Sequence, residues 1–318
     1  MSETTGKIDF RVGSETFQTW YKIFGDPKSG IRPLVVLHGG PGLSHHYVLP
    51  FKELHTRFKI PVIFYDQIGI GESSHPKSVP AEFWTVDLFM DELDNVLGHL
   101  GIKDNFDLAG HSWGGMLAAH YVSHRHPPGL KRLVLASAAP SMALWVQSTR
   151  QLLAKLPEKL RETIEKHERE GTTSDPEYQA GMSVFYEKHV CKIKPWPEDL
   201  NTSFKYMQED PIVYSTMRVL PSVYFSQKLT SHYRLGPSEF TIVGTLKDWS
   251  CLDQIHTISC PTLLTHGDDD EAQDVCQAPF FEKIEKVRWV TFANCSHMAY
   301  FEETDRYFEI VGKFLVGK

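Results

Sequence analysis

The sequence lacks the features that would place it in a membrane or on a nucleic acid. No apolar run in its 318 residues approaches the roughly 18 residues that a membrane-spanning helix needs. The N-terminal segment MSETTGKIDF has no apolar stretch of the kind that directs secretion. Basic residues form no cluster, and the formal net charge is -7. We therefore expect neither a membrane nor a nucleic acid as a partner.

Cysteine is scarce and follows no motif. The chain has 5 cysteines, an odd number, widely spaced and without a CxxC pair. This pattern is typical of reduced thiols and argues against a disulfide framework or a zinc site. We expect a cytoplasmic protein that requires no metal and no organic cofactor. The sequence also shows no internal repeat and no low-complexity tract.

What the chain does contain is an alternation of short apolar runs with helical periodicity. Runs that predict strands cover 32–40, 60–67, 106–112, 130–138, 260–267 and 287–294. Patterns that predict helices cover 84–101, 114–126 and 305–317. Several strands are apolar almost throughout, so the fold class is α/β, with a mainly parallel sheet and helices on both faces. The earlier run 16–25 is predicted to be an antiparallel edge strand.

The alternation is interrupted in the middle of the chain. It stops near Pro140 and resumes near Thr257, and the segment between them is helical, aromatic-rich and polar. An insertion above the carboxyl edge of a sheet usually covers a site. We therefore predict an α/β core formed by 1–139 and 257–318, with a helical cap formed by 140–256.

One strand-to-helix junction carries a reactive residue type. Ser112 lies in GHSWGG, between Gly110 and Gly114, directly after a predicted strand and before a predicted helix. The flanking glycines permit a tight turn that projects the hydroxyl above the sheet, at the positive end of the next helix. The motif is weak by itself, but its strand and helix context indicates a nucleophilic serine.

A nucleophilic serine needs a histidine base and a carboxylate that orients it. In this kind of sheet both should follow Ser112 along the chain, each just after a strand. His297 follows the last predicted strand, and Asp268, Asp269 and Asp270 all follow the preceding one. Spacing alone does not choose among the three aspartates. Two nearby histidines are expected to be structural: His111 packs away from the site, and His266 points into or beneath the sheet.

The early loop HGGPG, residues 38–42, is suited to stabilising an oxyanion. It follows a predicted strand, and its glycines allow close approach of the backbone to a ligand. The backbone N–H groups of Gly40 and Trp113 are the best candidate donors. His38 is expected to be structural.

Taken in order, these motifs resemble the proline iminopeptidase family of α/β-hydrolases. They are HGGPG, DQIGIGES, GHSWGG, GPSEFTIVGTLKDW and GDDDE followed by SH. The resemblance covers roughly residues 8 to 315, and it implies the α/β-hydrolase fold and an aminopeptidase that releases an N-terminal residue, often proline. It implies Ser112 as nucleophile, His297 as base, Asp270 as acid, and Gly40 and Trp113 as oxyanion donors.

The same resemblance implies a site for the free amine of the substrate. The family binds the α-ammonium with two acids, which match Glu239 and Glu271 here. One departure affects the first of them. In the family, the stretch that matches 210–217 runs almost directly into GPSEF, whereas here residues 218–235 intervene. These residues form an unusual insertion within the cap, just before Glu239.

The leading hypothesis is a serine aminopeptidase or amino-acid amidase. It would release proline or another small or apolar residue from short peptides or amino-acid amides through an acyl-enzyme. A second hypothesis keeps the triad but takes an ester or amide of secondary metabolism as substrate. A third, a ligand-binding protein with a hydrolase-like pocket, is disfavoured by the intact triad. Ser112 argues against epoxide hydrolases and dehalogenases, which need an aspartate there.

Overall fold

The computed structural model describes residues 3–218 and 239–318, which contain an eight-stranded sheet of order β1-β2-β4-β3-β5-β6-β7-β8. The strands are β1 (Glu3–Val12), β2 (Glu15–Phe24), β3 (Leu34–Leu37), β4 (Val62–Tyr65), β5 (Phe106–His111), β6 (Leu130–Ala136), β7 (Thr262–Gly267) and β8 (Val287–Phe292). Strands β3 to β8 pair with one another in parallel, whereas β2 is antiparallel to both β4 and β1. The predicted fold class, an α/β-hydrolase sheet, is confirmed.

Helices cover both faces of the sheet. In the described ranges they are α1 (Glu53–Phe58), α2 (Val86–His99), α3 (Trp113–Arg125), α4 (Met142–Leu153), α5 (Glu158–Glu170), α6 (Pro176–His189), α7 (Glu198–Glu209), α8 (Ile212–Arg218), α9 (Asp274–Lys283), α10 (Ala299–Glu302) and α11 (Thr304–Val316). Short 3-10 helices cover His45–Lys52, Ala81–Phe83 and Ile255–Thr257. Among residues 3–218 and 239–318, no helix has both the length and the apolar character to span a bilayer.

The central strands are buried because each of them supplies both faces of the sheet with apolar side chains. All four residues of β3 are buried. Val35 and Leu37 belong to one core cluster, and Leu34 and Val36 belong to the other. This alternation follows from the two-residue period of a strand. It explains why the strand reads as a continuous apolar run.

The prediction for 16–25 was half right. This segment forms β2, which is antiparallel as expected, but it is not an edge strand, because β1 pairs with its outer side over the whole length of both strands. Only Ile8 and Phe10 of β1 are buried. A strand with two buried residues and an otherwise polar sequence suits an edge, and it leaves little apolar signal in the sequence.

The carboxyl ends of the parallel strands share one edge of the sheet, and the chain's longest helical excursion occurs there. Helices α4 to α8 all lie between β6 and β7 in the chain. Apart from Arg218, the predicted insertion 218–235 lies outside the described residues.

Candidate active site

Ser112 occupies a strained turn between β5 and α3. Its φ is 57° and its ψ is -125°, a conformation that a non-glycine residue rarely adopts. A Cβ at Gly110 would lie 2.1 Å from the carbonyl oxygen of Gly114, and one at Gly114 would lie 2.2 Å from that of Leu37. Both glycines are therefore required, because any larger residue would clash with backbone. The turn brings Ser112 to the wall of a cavity at the carboxyl edge of the sheet.

His297 and Asp270 form a buried pair on the same wall. The Nδ1 atom of His297 lies 2.7 Å from Oδ1 of Asp270, which also accepts a hydrogen bond from the N–H of Ala272 at 2.8 Å. Burial raises the pKa of Asp270, but the charge and hydrogen bond of His297 outweigh it, so this pKa lies below its usual value. Burial lowers the pKa of His297, but the charges of Asp270 and Glu271 overcome it and raise the pKa to about 9.

The other two aspartates of the loop lie elsewhere. Asp269 forms an ion pair with Lys192, with 2.7 Å between Oδ2 and Nζ, and Asp268 is exposed. Asp270 is fully buried. Of the three aspartates that spacing left open, the structure brings only Asp270 into contact with His297.

Gly40 of the HGGPG loop lines the same cavity as His297. Gly40 has a φ of 114°, and a Cβ on it would lie 2.6 Å from the N–H nitrogen of Gly42, so only glycine fits. Gly40 and Ser112 both line the cavity. Trp113 is the first residue of α3, where backbone N–H groups have no acceptor within the helix. Its buried ring donates from Nε1 to Oε1 of Gln67 at 3.0 Å.

A hydrogen-bonded chain connects this loop to His297 through His111. The N–H of Gly39 donates to the Tyr47 hydroxyl at 2.6 Å, and that hydroxyl lies 3.0 Å from Nδ1 of His111. Nε2 of His111 lies 2.8 Å from the carbonyl oxygen of His297, so it carries the proton. Burial, together with the charge of His297, lowers the pKa of His111 to about 3.

This arrangement corrects the expectation that His111 packs away from the site. The ring centroids of His111 and His297 are 4.5 Å apart, and His111 lines the cavity. The other two histidines lie where they were expected. Nε2 of His38 accepts from the N–H of Gln67 at 2.9 Å, and burial lowers the pKa of His38 to about 4. His266 is buried, with Nε2 3.0 Å from Oγ1 of Thr291.

Two buried glutamates lie in the same cavity, in different environments. Oε2 of Glu239 lies 2.6 Å from Nη2 of Arg218, and the Tyr214 hydroxyl donates to Oε1 of Glu239 at 3.4 Å. Oε1 of Glu271 lies 3.5 Å from Nε2 of His297, and Oε2 of Glu271 has no hydrogen-bond partner in the part of the chain that the structure describes. Burial, together with the charge of Glu239, raises the pKa of Glu271.

Arg218 ends α8 and is almost fully buried at the cavity wall. Besides its ion pair with Glu239, its Nη1 lies 3.4 Å from the carbonyl oxygen of Gly40. Its guanidinium lies over the rings of Trp145 and Tyr214, at 5.7 and 5.3 Å from their centroids. The charge of Glu239 overcomes the effect of burial and raises the pKa of Arg218.

The cavity has a volume of about 50 Å³ and walls from both halves of the chain. Residues from outside α4–α8 that line it include Gly40, Leu43, Tyr47, His111, Ser112, Glu271, His297 and Met298. Those from the helical segment between β6 and β7 are Tyr186, Val190, Phe204, Met207, Tyr214, Arg218 and Glu239. Within the described residues, no group of three or more His, Cys, Asp or Glu side chains is arranged to hold a metal ion.

Comparisons with known proteins identify the family. The model of the alpha/beta hydrolase fold family matches residues 32–304. A proline iminopeptidase of Saccharolobus solfataricus is 34% identical over 296 residues, which are 93% of this chain and 88% of that protein. The chain belongs to the proline iminopeptidase family of α/β-hydrolases. It is an enzyme, a serine hydrolase of the aminopeptidase type.

Two solved structures are similar to this chain over nearly its whole length. The crystal structure of VinJ superposes with a TM-score of 0.88 at 41% identity, covering 98% of each chain. That of a proline iminopeptidase from Mycobacterium smegmatis superposes with a TM-score of 0.87 at 35% identity, covering 99% of this chain and 98% of that one.

Relative to the proline iminopeptidase pattern, the unexpected member of the site is Arg218. The sequence offered no spacing signal for it, since it is a single basic residue where the family-like stretch 210–217 ends and the insertion begins. It ends α8, a helix of seven residues of which five are buried. A buried arginine needs an acidic partner, and Glu239 supplies it.

Proposed function

We propose that this aminopeptidase cleaves the first residue, proline or another small or apolar amino acid, from short peptides or amino-acid amides. Ser112 is the nucleophile, His297 the general base, and Asp270 the carboxylate that orients it. Gly40 and Trp113 donate their backbone N–H groups to the oxyanion. Glu239 and Glu271 bind the α-ammonium of the substrate.

The reaction begins when Oγ of Ser112 attacks the carbonyl carbon of the first residue. The hydroxyl proton passes to Nε2 of His297 as the Oγ–C bond forms, and the carbonyl π electrons move to oxygen. Asp270 stabilises the imidazolium that results, because it accepts the hydrogen bond from Nδ1. The two backbone N–H groups stabilise the negative oxygen.

Collapse of this intermediate releases the remainder of the peptide. The leaving amine takes the proton from Nε2 of His297, and the first residue remains as an ester on Ser112. Water then attacks the ester with His297 again accepting a proton, and the free amino acid leaves. No step of this sequence requires a metal or an organic cofactor.

The observation that carries the proposal is the arrangement around His297. Its Nδ1 lies 2.7 Å from Oδ1 of Asp270, and its Nε2 lies 3.5 Å from Oε1 of Glu271. His297 and Ser112 both line the cavity. Two buried acids, Glu239 and Glu271, line that cavity. A compact ammonium with several donors is the ligand chemistry that two such acids favour. An acidic site of this kind suits the first residue of a chain, which carries a free ammonium, better than an internal residue, which carries none.

We also propose a division into an α/β core, 1–139 and 257–318, and a helical cap, 140–256. The position of α4 to α8 between two sheet strands, and their contribution to the cavity wall, support it. A cytoplasmic location is supported by the cysteines, all five of which are free thiols and four of them buried.

The test compares substrates that differ only in the amine. Wild-type enzyme is assayed with prolyl 4-nitroanilide, acetyl-prolyl 4-nitroanilide and 4-nitrophenyl acetate, with Ser112→Ala as the control. Breaking a buried charge pair costs about 2–5 kcal/mol, so kcat/KM for the acetylated substrate should be about 30-fold to 4,000-fold lower. Equal rates would reject amine recognition and favour an esterase or amidase acting on secondary metabolites.

A further inference from the structure

Glu271 lies against the atom that must act as the base. Its Oε1 is 3.5 Å from Nε2 of His297, while Asp270 occupies the other ring nitrogen, Nδ1. Nε2 is the nitrogen that has to accept the hydroxyl proton of Ser112. A carboxylate at this distance favours a proton on or beside that nitrogen. Glu271 is also one of the two acids proposed to bind the substrate's ammonium.

The position of Glu271 is held from its backbone. Its carbonyl oxygen accepts a hydrogen bond from Oγ of Ser148 at 2.5 Å, and the same hydroxyl accepts from the N–H of Gln273 at 2.9 Å. The residue is buried, and its Oε2 has no hydrogen-bond partner among the described residues. A buried carboxylate with a free oxygen is a strong acceptor for an incoming cation.

We propose that Glu271 couples amine recognition to activation of the base. Without an amine in the cavity, Nε2 of His297 carries a proton that the carboxylate of Glu271 stabilises from 3.5 Å, so that Nε2 is occupied. When the substrate's ammonium binds Glu271, that proton leaves to solvent and Nε2 is free to accept the proton of Ser112. The inference rests on the proposed function and adds a second role to its amine-binding acid.

The surrounding charges make Glu271 the group that changes. His297 faces Asp270, Glu271, Glu239 and His111, and Glu271 faces Glu239, Asp270, Arg218, Tyr186 and Tyr214. The carboxylate of Asp270 faces His297 whether or not an amine is bound. His111 is neutral because its pKa is about 3. Glu239 is compensated by Arg218 at 2.6 Å. Among the described residues, Glu271 has no ion-pair partner other than His297, and the raised pKa of His297, about 9, agrees with this.

The consequence is that the amine contributes to kcat and not only to binding. A substrate without the amine binds next to a base that stays protonated at neutral pH, whereas a substrate with it deprotonates the base on binding. Interactions made in this way lower the barrier to the chemical step rather than stabilising the bound substrate alone. This distinguishes the proposal from a purely electrostatic binding pocket.

The first experiment measures the pH profile of kcat/KM for 4-nitrophenyl acetate, an ester without an amine. His297 works as a base only when neutral, so activity rises as pH rises through its pKa. Removing the charge with Glu271→Gln lowers that pKa and moves the acidic limb to lower pH. A shift of at least one pH unit is expected, which raises ester hydrolysis at pH 7 by about tenfold. Asp268→Asn, an exposed acid of the same loop, should leave the limb in place.

The second experiment needs no variant. With prolyl 4-nitroanilide, the acidic limb of kcat reports the amine-bound complex, and that of kcat/KM reports the free enzyme. The acidic limb of kcat should therefore lie at lower pH than that of kcat/KM. For acetyl-prolyl 4-nitroanilide, the two limbs should coincide.

Coincident limbs for the free-amine substrate, or an unmoved ester profile in folded Glu271→Gln, would overturn the coupling. The proposed function has a separate test. If the wild-type enzyme still prefers free amines and Ser112→Ala is inactive, then the aminopeptidase assignment stands while the coupling fails. If that preference is absent, the assignment itself fails.

Discussion

The two sides of the cavity are built in different ways. On the side of the proposed core, Ser112, Asp270 and His297 lie on loops that follow strands β5, β7 and β8, and their positions depend on backbone geometry. On the side of the proposed cap, Glu239 and Arg218 owe their positions to each other, since each is the buried partner of the other's charge. Backbone geometry is encoded in local sequence motifs, whereas a charge pair between distant residues is not.

The two glutamates that line the cavity repeat this contrast. Glu271 follows Asp270 directly on the loop after β7, and its acid faces His297 with one oxygen free among the described residues. Glu239 is already paired with Arg218. Two acids that the sequence presents as equivalent therefore differ in what they offer a substrate. We expect Glu271 to contribute more to amine binding than Glu239.

The largest expected effect tests the core side through Ser112, the proposed nucleophile. Ser112→Ala should lower kcat for prolyl 4-nitroanilide by about 10⁵-fold or more, because it removes the covalent route. The fold should be intact by circular dichroism, and exposed Ser183→Ala serves as the control. A variant that keeps more than about a thousandth of the wild-type kcat would contradict the role of Ser112.

The next effect tests the choice among the aspartates. Asp270→Asn should lower kcat by about 10⁴-fold, because an amide favours the wrong tautomer of His297. Asp269→Asn is the matched control: it removes only the half-exposed pair with Lys192, which is worth about 1 kcal/mol or less. Steady-state assays measure kcat for both variants. If Asp269→Asn lowered kcat as severely as expected for Asp270→Asn, the acid would be misassigned by one residue.

The third effect tests the cap side through its ion pair. Arg218→Met leaves the Glu239 carboxylate buried without a cation and should lower the free energy of unfolding by about 3–5 kcal/mol. Adding Glu239→Gln should restore part of the loss, and urea denaturation measures both. Lys205→Met, which breaks an exposed pair with Glu209, should cost less than about 1 kcal/mol. Equal losses of unfolding free energy in Arg218→Met and Lys205→Met would contradict the view that the buried ion pair positions Glu239.

The smallest effect separates the two acids. Glu271→Gln should lower kcat/KM for prolyl 4-nitroanilide by roughly 30-fold, which corresponds to about 2 kcal/mol. Glu239→Gln should cost less than about tenfold, since Arg218 already neutralises this acid. Both variants are also assayed with acetyl-prolyl 4-nitroanilide. The ratio of kcat/KM for the free-amine substrate to that for the acetylated one should be smaller than in the wild-type enzyme. A larger loss in Glu239→Gln would reverse the ranking proposed here.

Much of the fold was predictable because its signals are local. The central strands are apolar throughout and only a few residues long, so each run stood out between helical patterns, and six predicted strands and three predicted helices appear within a few residues of their expected ends. The edge strand β1 was missed because only Ile8 and Phe10 of it are buried. An edge needs few apolar residues, and it leaves a correspondingly weak pattern.

The sequence by itself determined the strand-to-helix turn at Ser112 and the loop at Gly40, because steric limits on backbone leave glycine as the only choice around them. Spacing restricted the acid to three neighbouring aspartates, and the family resemblance implied Asp270. Only the tertiary structure decided that Asp270 meets His297, that His111 joins the site, and that Arg218 pairs with Glu239 while Glu271 faces Nε2. These contacts join residues that are far apart in the chain or differ by one position in a loop, and a side chain's direction there depends on the packing of the whole molecule.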